Sequence, residues 1–228
     1  MYPSAPDGLG PARTELVRYG NRLLADGLSI GSAGNLSARV GDVVAITPSG
    51  IAYPLMRAAE ICLVTLKGAQ LADHEARRET PSSETPMHLA IYAATKAQAV
   101  VHTHSPEVIA LSAGRDELPA IHYAITTLGG PVRVAPYVRF GSDGLASAAA
   151  TALQGRRAAI LRNHGAITCG RTLAEAFDHA LLLEWLAGVY RRSLDYGHPR
   201  ILSDEELAEV TAEARRRSYG SRRAKTDP

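Results

Sequence analysis

Two histidines separated by one residue close a short apolar run, residues 99–106 (AVVHTHSP). If Val100 and Val101 form a β-strand that continues into this pair, strand alternation puts His102 and His104 on one face. Their Cβ atoms are then about 6–7 Å apart, because each strand residue rises about 3.3 Å. Two neutral imidazoles at that spacing can bind one divalent metal ion. Taken alone, the pattern fits hydrogen-bonded or solvated histidines at a strand end equally well.

Length and charge narrow the classes of protein to which this chain can belong. A chain of 228 residues, 46% hydrophobic and 21% charged, is typical of a globular fold with one large domain or two small ones. The net charge of +2 argues against a strongly charged partner such as nucleic acid. Two short arginine clusters, residues 215–217 and 222–223, are more typical of a solvated surface than of a nucleic-acid interface.

The cysteines and the absence of long apolar segments indicate a cytoplasmic protein. Cys62 and Cys169 lie far apart, each in an apolar run, as reduced and buried thiols do. The first residues (MYPSAPDGLGP) contain neither a basic segment nor an apolar segment of the kind that opens a secretory signal. No apolar run approaches the 18 or so residues that a membrane span needs, so we expect no membrane partner.

Short apolar runs alternate irregularly with amphipathic segments along the chain. Helices are predicted over residues 12–26, 84–95, 106–113, 143–154 and 173–196, and after Ser203 as an N-cap. Strands are predicted over residues 36–40, 43–47, 61–66, 99–104, 132–137 and 158–161, and near Ile167. Gly41 and Asp42 connect the first two strands as a hairpin, whereas residues 121–130 are ambiguous. We expect one α/β domain over residues 12–220, with a flexible lead-in (1–11) and a polar tail (221–228).

A third histidine and a glutamate add to the chemistry that the histidine pair can support. His164 lies in an Asn-His-Gly turn after a buried strand, and three histidines around a metal leave a fourth position open. Glu84 follows two serines at the start of a predicted helix, where the positive helix end favours an anion. The same helix end can bind a phosphate group, and Ser82 or Ser83 is also a natural N-cap, so plain capping is the alternative.

Two turns fit the phosphate-binding part of such a site. Gly34 and Asn35 end a turn that can present backbone N–H groups, and residues 47–50 place hydroxyls and a flexible glycine after a strand. Each turn alone is more often a plain turn. Together with a metal and a glutamate, they indicate a site for a small phosphorylated carbonyl compound. Neither a Gly-rich dinucleotide fingerprint nor a Walker loop is present.

Five segments, taken in order and spacing, resemble the class II aldolase/adducin family. They read SAGNLSAR, ITPSG, PSSE, HTH and NHG, and the resemblance covers about residues 12–220. It implies a single three-layer α/β/α domain with a central mixed, largely antiparallel sheet. Further segments resemble the fuculose-phosphate aldolase branch of that family: LPAIHY (118–123), APY (135–137) with Phe140-Gly141, LSDEE (202–206) and Tyr219-Gly220.

The resemblance implies a role for each matching residue. Zinc would be held by His102, His104, His164 and Glu84. The phosphate would be bound by Gly34, Asn35, Ser49, Gly50, Ser82 and Ser83. Glu84 would also be the catalytic acid/base once substrate displaces it from the metal. Tyr123 would act on the aldehyde half from a neighbouring subunit of a homotetramer with interfacial active sites, and Phe140 and Tyr219 would line the same region.

The implied reaction is the reversible cleavage of a ketose 1-phosphate, L-fuculose 1-phosphate or a related 5-deoxy compound. The products would be dihydroxyacetone phosphate and a small aldehyde such as L-lactaldehyde. Zinc would act as a Lewis acid, although imidazole ligands also serve other divalent metals. A ribulose-phosphate 4-epimerase, in which Asp typically replaces Glu84, and a methylthioribulose-phosphate dehydratase remain as alternatives. A non-catalytic adducin-like interaction module, which lacks the metal histidines, fits less well.

Overall fold

The computed structural model of the protein describes residues 8–71 and 79–217. Its strands are β1 (Asn35–Val40), β2 (Val43–Ile46), β3 (Cys62–Thr65), β4 (Ala99–Thr103), β5 (Glu117–Leu118), β6 (Val132–Ala135), β7 (Ala158–Leu161) and β8 (Gly165–Gly170). They form one eight-stranded sheet in the order β3-β2-β1-β4-β8-β7-β6-β5. Only β6 and β7 pair in parallel, and every other pairing is antiparallel. The expected mixed, largely antiparallel sheet is therefore confirmed.

Helices cover both faces of this sheet. They are α1 (Leu9–Ala25), α2 (Thr85–Ala94), α3 (Pro106–Gly114), α4 (Asp143–Ala152), α5 (Leu173–Ser193) and α6 (Asp204–Arg216). One apolar core lies between the sheet and the α2/α4 pair, and a second lies between the sheet and α1 with α5. This arrangement confirms the three-layer α/β/α class. In residues 8–71 and 79–217, no helix combines the length and the apolar character that crossing a membrane requires.

Strand β4 lies near the middle of the sheet and is buried on both faces. Val100 packs into the core under α2 and α4, whereas Val101 packs into the core under α1 and α5. Because side chains alternate along a strand, His102 lies on the same face as Val100, toward α2. The register of the sheet pairs His102 with Asn35 of β1 and with Ile167 of β8. The end of β4 is therefore held from both sides.

The local predictions differ from the structure mainly at the ends of elements. Helix α1 begins at Leu9, within the expected lead-in, because Leu9 is buried in the core and Pro11 is tolerated in a first helical turn. The ambiguous segment contains a 3₁₀ helix, Tyr123–Leu128. The hairpin at residues 41–42 is confirmed, and Ser203 caps α6 through a capping box. Residues 1–7 and the expected tail, 221–228, lie outside the described residues.

Two cysteines and one glycine show how tightly the sheet is packed near its centre. Cys62 and Cys169 are free and buried, as expected, and burial raises the pKa of each thiol to about 11.

At Gly165, the first residue of β8, an added Cβ would lie 2.0 Å from the carbonyl oxygen of Thr103. Since real Cβ atoms do not approach so closely, only glycine lets β8 pair with the end of β4.

We therefore expect the substitution Gly165→Ala to destabilise the protein by about 2 kcal/mol or more, the cost of forcing extra volume into a packed site. The matched control is Gly10→Ala on helix α1, where an added Cβ has no neighbour within 4 Å. That control should be neutral or stabilising by up to about 1 kcal/mol, because alanine favours a helix. Urea unfolding of both variants measures the difference, and equal midpoints would contradict the expectation.

Candidate metal centre and substrate pocket

Four side chains from three parts of the fold converge at the end of strand β4. The candidate ligand atoms of Glu84, His102, His104 and His164 all lie within 4.8 Å of one another. Nε2 of His102 is 3.0 Å from Oε2 of Glu84 and 3.0 Å from Nε2 of His104. Nε2 of His164 is 3.4 Å from Oε1 of Glu84. The structure thus brings together the four residues that the sequence predicts as metal ligands.

Special backbone conformations on either side of β4 make this convergence possible. Asn163, in the turn between β7 and β8, has a φ of 52°, and its N–H donates to Oγ of Ser112 at 2.9 Å. This left-handed residue directly precedes His164 and turns the chain into β8. Gly34 has a φ of 77°, and a Cβ there would lie 2.7 Å from the carbonyl oxygen of His102. The sequence drew attention to Gly34 but gave no signal for Ser112.

The orientation of His102 and the state of Glu84 fit a bound cation. Nδ1 of His102 donates to the carbonyl oxygen of Ala166 at 2.8 Å, so Nε2 faces the cluster, where it can donate a proton to Glu84 or, once deprotonated, bind a metal. Oε1 of Glu84 is buried and has no hydrogen-bond donor among the described residues. A carboxylate oxygen in that situation is costly unless a cation neutralises it. Three imidazoles and one carboxylate form a donor set that suits zinc or a similar divalent transition metal.

The electrostatics keep three of the four donors, Glu84, His104 and His164, in the protonation states that metal binding requires. Burial, and then the proximity of His102, lowers the pKa of His104 to about 3 and that of His164 to about 4. Burial alone would raise the pKa of Glu84, but the charge and hydrogen bond of His102, helped by Asn35 and His164, hold it well below its usual value. At neutral pH His104 and His164 are therefore neutral and Glu84 is ionised. Burial alone would lower the pKa of His102, but the charge and hydrogen bond of Glu84 raise it, so a metal must displace a proton from its ring.

A buried polar network lies directly behind the cluster. Nδ2 of Asn35 donates to Oε2 of Glu84 at 3.0 Å, and Oδ1 of Asn35 is 2.6 Å from Nε2 of His88. Nδ1 of His88 is 2.7 Å from Oγ of Ser37, which is 2.7 Å from the hydroxyl of Tyr92. The sequence motifs that predict the metal cluster do not include His88. Its spacing gives a sharper signal, since Glu84, His88 and Tyr92 recur every four residues along one helix face.

An open pocket of about 310 Å³ leads from the protein surface to Glu84, His104 and His164. All six residues predicted to bind phosphate line it, namely Gly34, Asn35, Ser49, Gly50, Ser82 and Ser83. No lysine or arginine is among its lining residues in the described parts of the chain. An anion bound here would therefore be held by hydroxyls, backbone N–H groups, the N-terminus of α2 and any metal in the cluster.

The capping of helix α2 differs from the prediction. The N-cap position is occupied by Glu84 and not by Ser82 or Ser83. The chain first makes a tight turn in which Thr85 donates from both its N–H and its hydroxyl to the carbonyl oxygen of Ser82. The hydroxyl of Ser82 accepts the N–H of Glu84 at 3.3 Å. Because this turn delays the helix, Glu84 is placed at the helix end with its side chain directed into the cluster.

The three aromatic residues in the prediction lie in different places. Phe140 lines the pocket beside Tyr137, and its side chain is 63% exposed. Tyr123 is 54% exposed on the 3₁₀ helix after β5 and does not line the pocket of its own subunit. Its ring lies against His122, whose ring contacts Trp185 edge-on. Tyr219 lies outside the described residues. A single copy of the chain thus brings Phe140, but not Tyr123, to the candidate site.

Comparison with known proteins decides the family. Residues 14–191 match the class II aldolase and adducin N-terminal domain. The chain belongs to the class II aldolase and adducin family. A 5-deoxy-D-ribulose 1-phosphate aldolase of Bacillus thuringiensis serovar kurstaki is 37% identical over 86% of this chain and 91% of its own length. An L-fuculose phosphate aldolase of Escherichia coli K12 is 39% identical over 86% of this chain and 89% of its own.

A solved structure agrees with these relatives. An L-fuculose 1-phosphate aldolase superposes with a TM-score of 0.85 at 35% identity, over 93% of this chain and 98% of that one. The chain is accordingly an aldolase-type lyase, and the divalent-metal chemistry of the family agrees with its cluster of one glutamate and three histidines. Because all the candidate ligands are present, a purely structural adducin-like role has no support.

The lowered histidine pKa values predict how the stability of the metal-free protein depends on pH. His88, whose pKa burial lowers to about 3, is a third group of this kind beside His104 and His164. As pH falls below about 6.5, the unfolded chain binds protons at these three sites before the native state does, so the free energy of unfolding decreases. The raised pKa of His102 acts in a separate window above that pH.

Urea unfolding in the presence of a chelator, between pH 6.5 and pH 4.5, measures this dependence. The variant His104→Gln removes one of the three groups, so its stability should depend on pH less steeply by about one proton. The comparison uses slopes, so a uniform change in stability caused by the substitution does not affect it. Parallel curves for the wild type and the variant would contradict the assignment of a neutral His104.

Proposed function

We propose that the protein is a zinc-dependent class II aldolase that cleaves a ketose 1-phosphate between C3 and C4. The products are dihydroxyacetone phosphate and a small aldehyde. The observation that carries the proposal is the Glu84 carboxylate, which lies among three imidazoles at the floor of a pocket and keeps one oxygen without a hydrogen-bond donor. Such a group can bind a metal and can also exchange a proton with a substrate carbon beside it.

The pocket supports binding of the phosphate group of such a substrate. Ser49, Ser82 and Ser83 provide hydroxyls, and Gly34 and Gly50 expose backbone where side chains would obstruct a ligand. Asn35 lies between this region and Glu84. We assign phosphate binding to these six residues. Binding energy from the phosphate then positions the reacting carbons against the metal and Glu84.

Glu84, His102, His104 and His164 would hold the metal, and we propose zinc. When bound, zinc polarises the substrate carbonyl as a Lewis acid and stabilises the negative charge that develops during cleavage. Glu84 supplies the acid/base function: once substrate displaces it from the metal, its carboxylate takes up a proton from water in the open pocket and delivers it to C3 of the dihydroxyacetone phosphate half after the C3–C4 bond breaks. In the reverse direction the same carboxylate removes that proton.

The proton of the C4 hydroxyl requires a second base, for which we propose Tyr123 of a neighbouring subunit. Tyr123 is well exposed and remote from its own pocket, whereas Tyr137 and Phe140 expose apolar area at the pocket mouth. Two surfaces of this kind on different parts of one chain suit a head-to-tail contact that closes into a ring. We therefore propose a cyclic homotetramer with active sites at subunit interfaces, and we expect Phe140 and Tyr219 to contact the aldehyde half.

The aldehyde half is the least constrained part of the substrate. The two curated relatives are named for 5-deoxy-D-ribulose 1-phosphate and for L-fuculose phosphate, and the ketoses in both names end in a methyl group. We propose the same class here, with L-fuculose 1-phosphate and 5-deoxyribulose 1-phosphate as the first compounds to test. We also propose a cytoplasmic enzyme, since Cys62 and Cys169 are free, buried thiols.

Replacement of Glu84 by glutamine tests the proposed reaction. We expect kcat for the zinc-loaded Glu84→Gln variant to fall about 10²–10⁴-fold, the usual contribution of a positioned acid/base group. The KM for the ketose phosphate should change little, because glutamine leaves the phosphate region intact. Release of dihydroxyacetone phosphate is followed with glycerol-phosphate dehydrogenase, and the zinc content of each sample is measured so that metal loss is not mistaken for loss of catalysis.

The control is Glu209→Gln, which changes an exposed carboxylate on helix α6 and should leave kcat unaltered. Absence of dihydroxyacetone phosphate from both ketose phosphates, in a wild-type protein that carries zinc, would reject the aldolase proposal. Conversion of a pentulose phosphate into its 4-epimer, or loss of water from methylthioribulose phosphate, would instead identify the activity with one of the two alternatives.

Subunit mixing tests the position of Tyr123. Tyr123→Phe and Glu84→Gln should each abolish most activity alone. If every site combines Glu84 of one subunit with Tyr123 of the next, a mixed ring assembled from equal amounts regains about a quarter of its sites. The two variants are co-expressed with different affinity tags, and doubly tagged tetramers are assayed. Mixed tetramers that stay inactive would place both groups in the same subunit or would remove Tyr123 from the reaction.

A further inference from the structure

We infer that His88 is a positioning residue for Glu84. Together with Ser37 and Tyr92, His88 fixes the side-chain amide of Asn35 so that its Nδ2 always faces Oε2 of Glu84. The consequence is that the two carboxylate oxygens differ, and Oε1 is the one that exchanges a proton with substrate. The inference rests on the proposed acid/base function of Glu84, but it makes claims about His88 that can be tested without turnover.

The contacts form one unbroken chain from Tyr92 to Glu84. In order, the four distances are 2.7 Å from Tyr92 to Ser37, 2.7 Å from Ser37 to His88, 2.6 Å from His88 to Asn35 and 3.0 Å from Asn35 to Glu84. All five side chains are buried, with exposures between 0% and 5%. Away from water each of these hydrogen bonds is stronger, and a polar group that loses its partner lowers the stability of the protein.

Chemistry permits only one direction for these hydrogen bonds. The ionised Glu84 can only accept, so Nδ2 of Asn35 must face it and Oδ1 must face His88. The ring of His88 is fully buried, and its two nitrogens bond to Ser37 and Asn35 and to no carboxylate among the described residues, so it is neutral. Because Oδ1 is an acceptor, the single ring proton lies on Nε2 and Nδ1 accepts from the hydroxyl of Ser37. The hydroxyl of Tyr92 then donates to Ser37.

This fixed direction gives Glu84 a defined orientation. If the amide of Asn35 rotated by half a turn, its oxygen would face the carboxylate and two acceptors would repel each other. The Nε2–H group of His88 opposes that rotation. Oε2 therefore faces Nδ2 of Asn35 and Nε2 of His102, each at 3.0 Å, whereas Oε1 has no donor among the described residues and remains available.

Two substitutions of His88, each of which reproduces one ring nitrogen, distinguish a positioning role from a general effect of a polar side chain at this place. In His88→Gln the amide nitrogen reaches about as far as Nε2 and can still donate to Asn35, whereas in His88→Asn the shorter amide reaches only the position of Nδ1. We expect His88→Asn to lower zinc affinity and kcat by about 10–100-fold, as the loss of an outer-shell partner of a metal ligand does. His88→Gln should stay within about threefold of the wild type, since it keeps the donor.

His179→Asn is the matched control. His179 is also a buried histidine on a helix, with Nδ1 hydrogen-bonded to the carbonyl oxygen of Cys169 at 2.9 Å, and it is absent from the metal cluster. This variant should leave zinc affinity unchanged. The visible spectrum of the cobalt-loaded protein gives a further readout, because a misplaced Glu84 alters the geometry around the metal. It should shift in His88→Asn but not in His88→Gln or His179→Asn.

Nitrogen NMR of histidine-labelled wild-type protein tests the inference without any variant. His88 should be the neutral tautomer with its proton on Nε2, in both the metal-free and the zinc-loaded protein. A proton on Nδ1, or equal losses of zinc affinity in the glutamine and asparagine variants, would overturn the positioning role. A protein that shows the expected tautomer and affinities but no aldolase turnover would keep the role of His88 and reject the proposed reaction instead.

Discussion

The antiparallel pairing of β4 with its two neighbours is the constraint on which the site depends. β1 pairs with β4 so that Asn35 lies opposite His102, and β8 pairs with β4 so that Ala166 lies opposite Thr103. The first pairing brings the amide of Asn35 to Glu84, and the second sets the turn that carries His164. A shift of one residue in either register would turn the functional side chains to the opposite face of the sheet.

The same strand pairings bring together several buried polar groups that hydrogen-bond to one another or to the backbone. A buried carboxylate, three clustered imidazoles and a fully buried histidine would each destabilise an ordinary core. Here Glu84 accepts from Asn35, His102 donates to Ala166, and His88 bonds on both sides of its ring. Within the cluster itself, Oε1 of Glu84 has no hydrogen-bond donor among the described residues. The exception lies where a metal and a substrate would be bound, as is typical of sites arranged for function rather than stability.

Periodicity and short motifs predicted most of the fold and the identity of the cluster. The His-x-His spacing predicted a strand over residues 99–104 with His102 and His104 on one face. In the structure β4 ends at Thr103, but His104, the next residue, still brings its Nε2 to 3.0 Å from Nε2 of His102. At Leu9 a tertiary contact overrides the local signal, because the core covers this residue and helix α1 extends to it. At Glu84 the local signal was misleading, because a turn at residues 82–85 delays the helix and leaves Glu84 at the N-cap position. No local signal could reveal that Ser112 holds the turn before His164, since that contact spans 51 residues.

The described residues that line the pocket include no lysine or arginine, and this affects the order in which metal and substrate can bind. With Glu84 ionised, His104 and His164 neutral and the pKa of His102 raised by Glu84, the cluster by itself has no net positive charge that would attract a phosphorylated sugar. A divalent ion supplies that positive charge, so we expect metal to bind before substrate. The attraction is then confined to the pocket floor and does not extend across the surface. Capture of substrate should accordingly depend little on ionic strength, unlike capture by proteins that attract phosphates with exposed arginines.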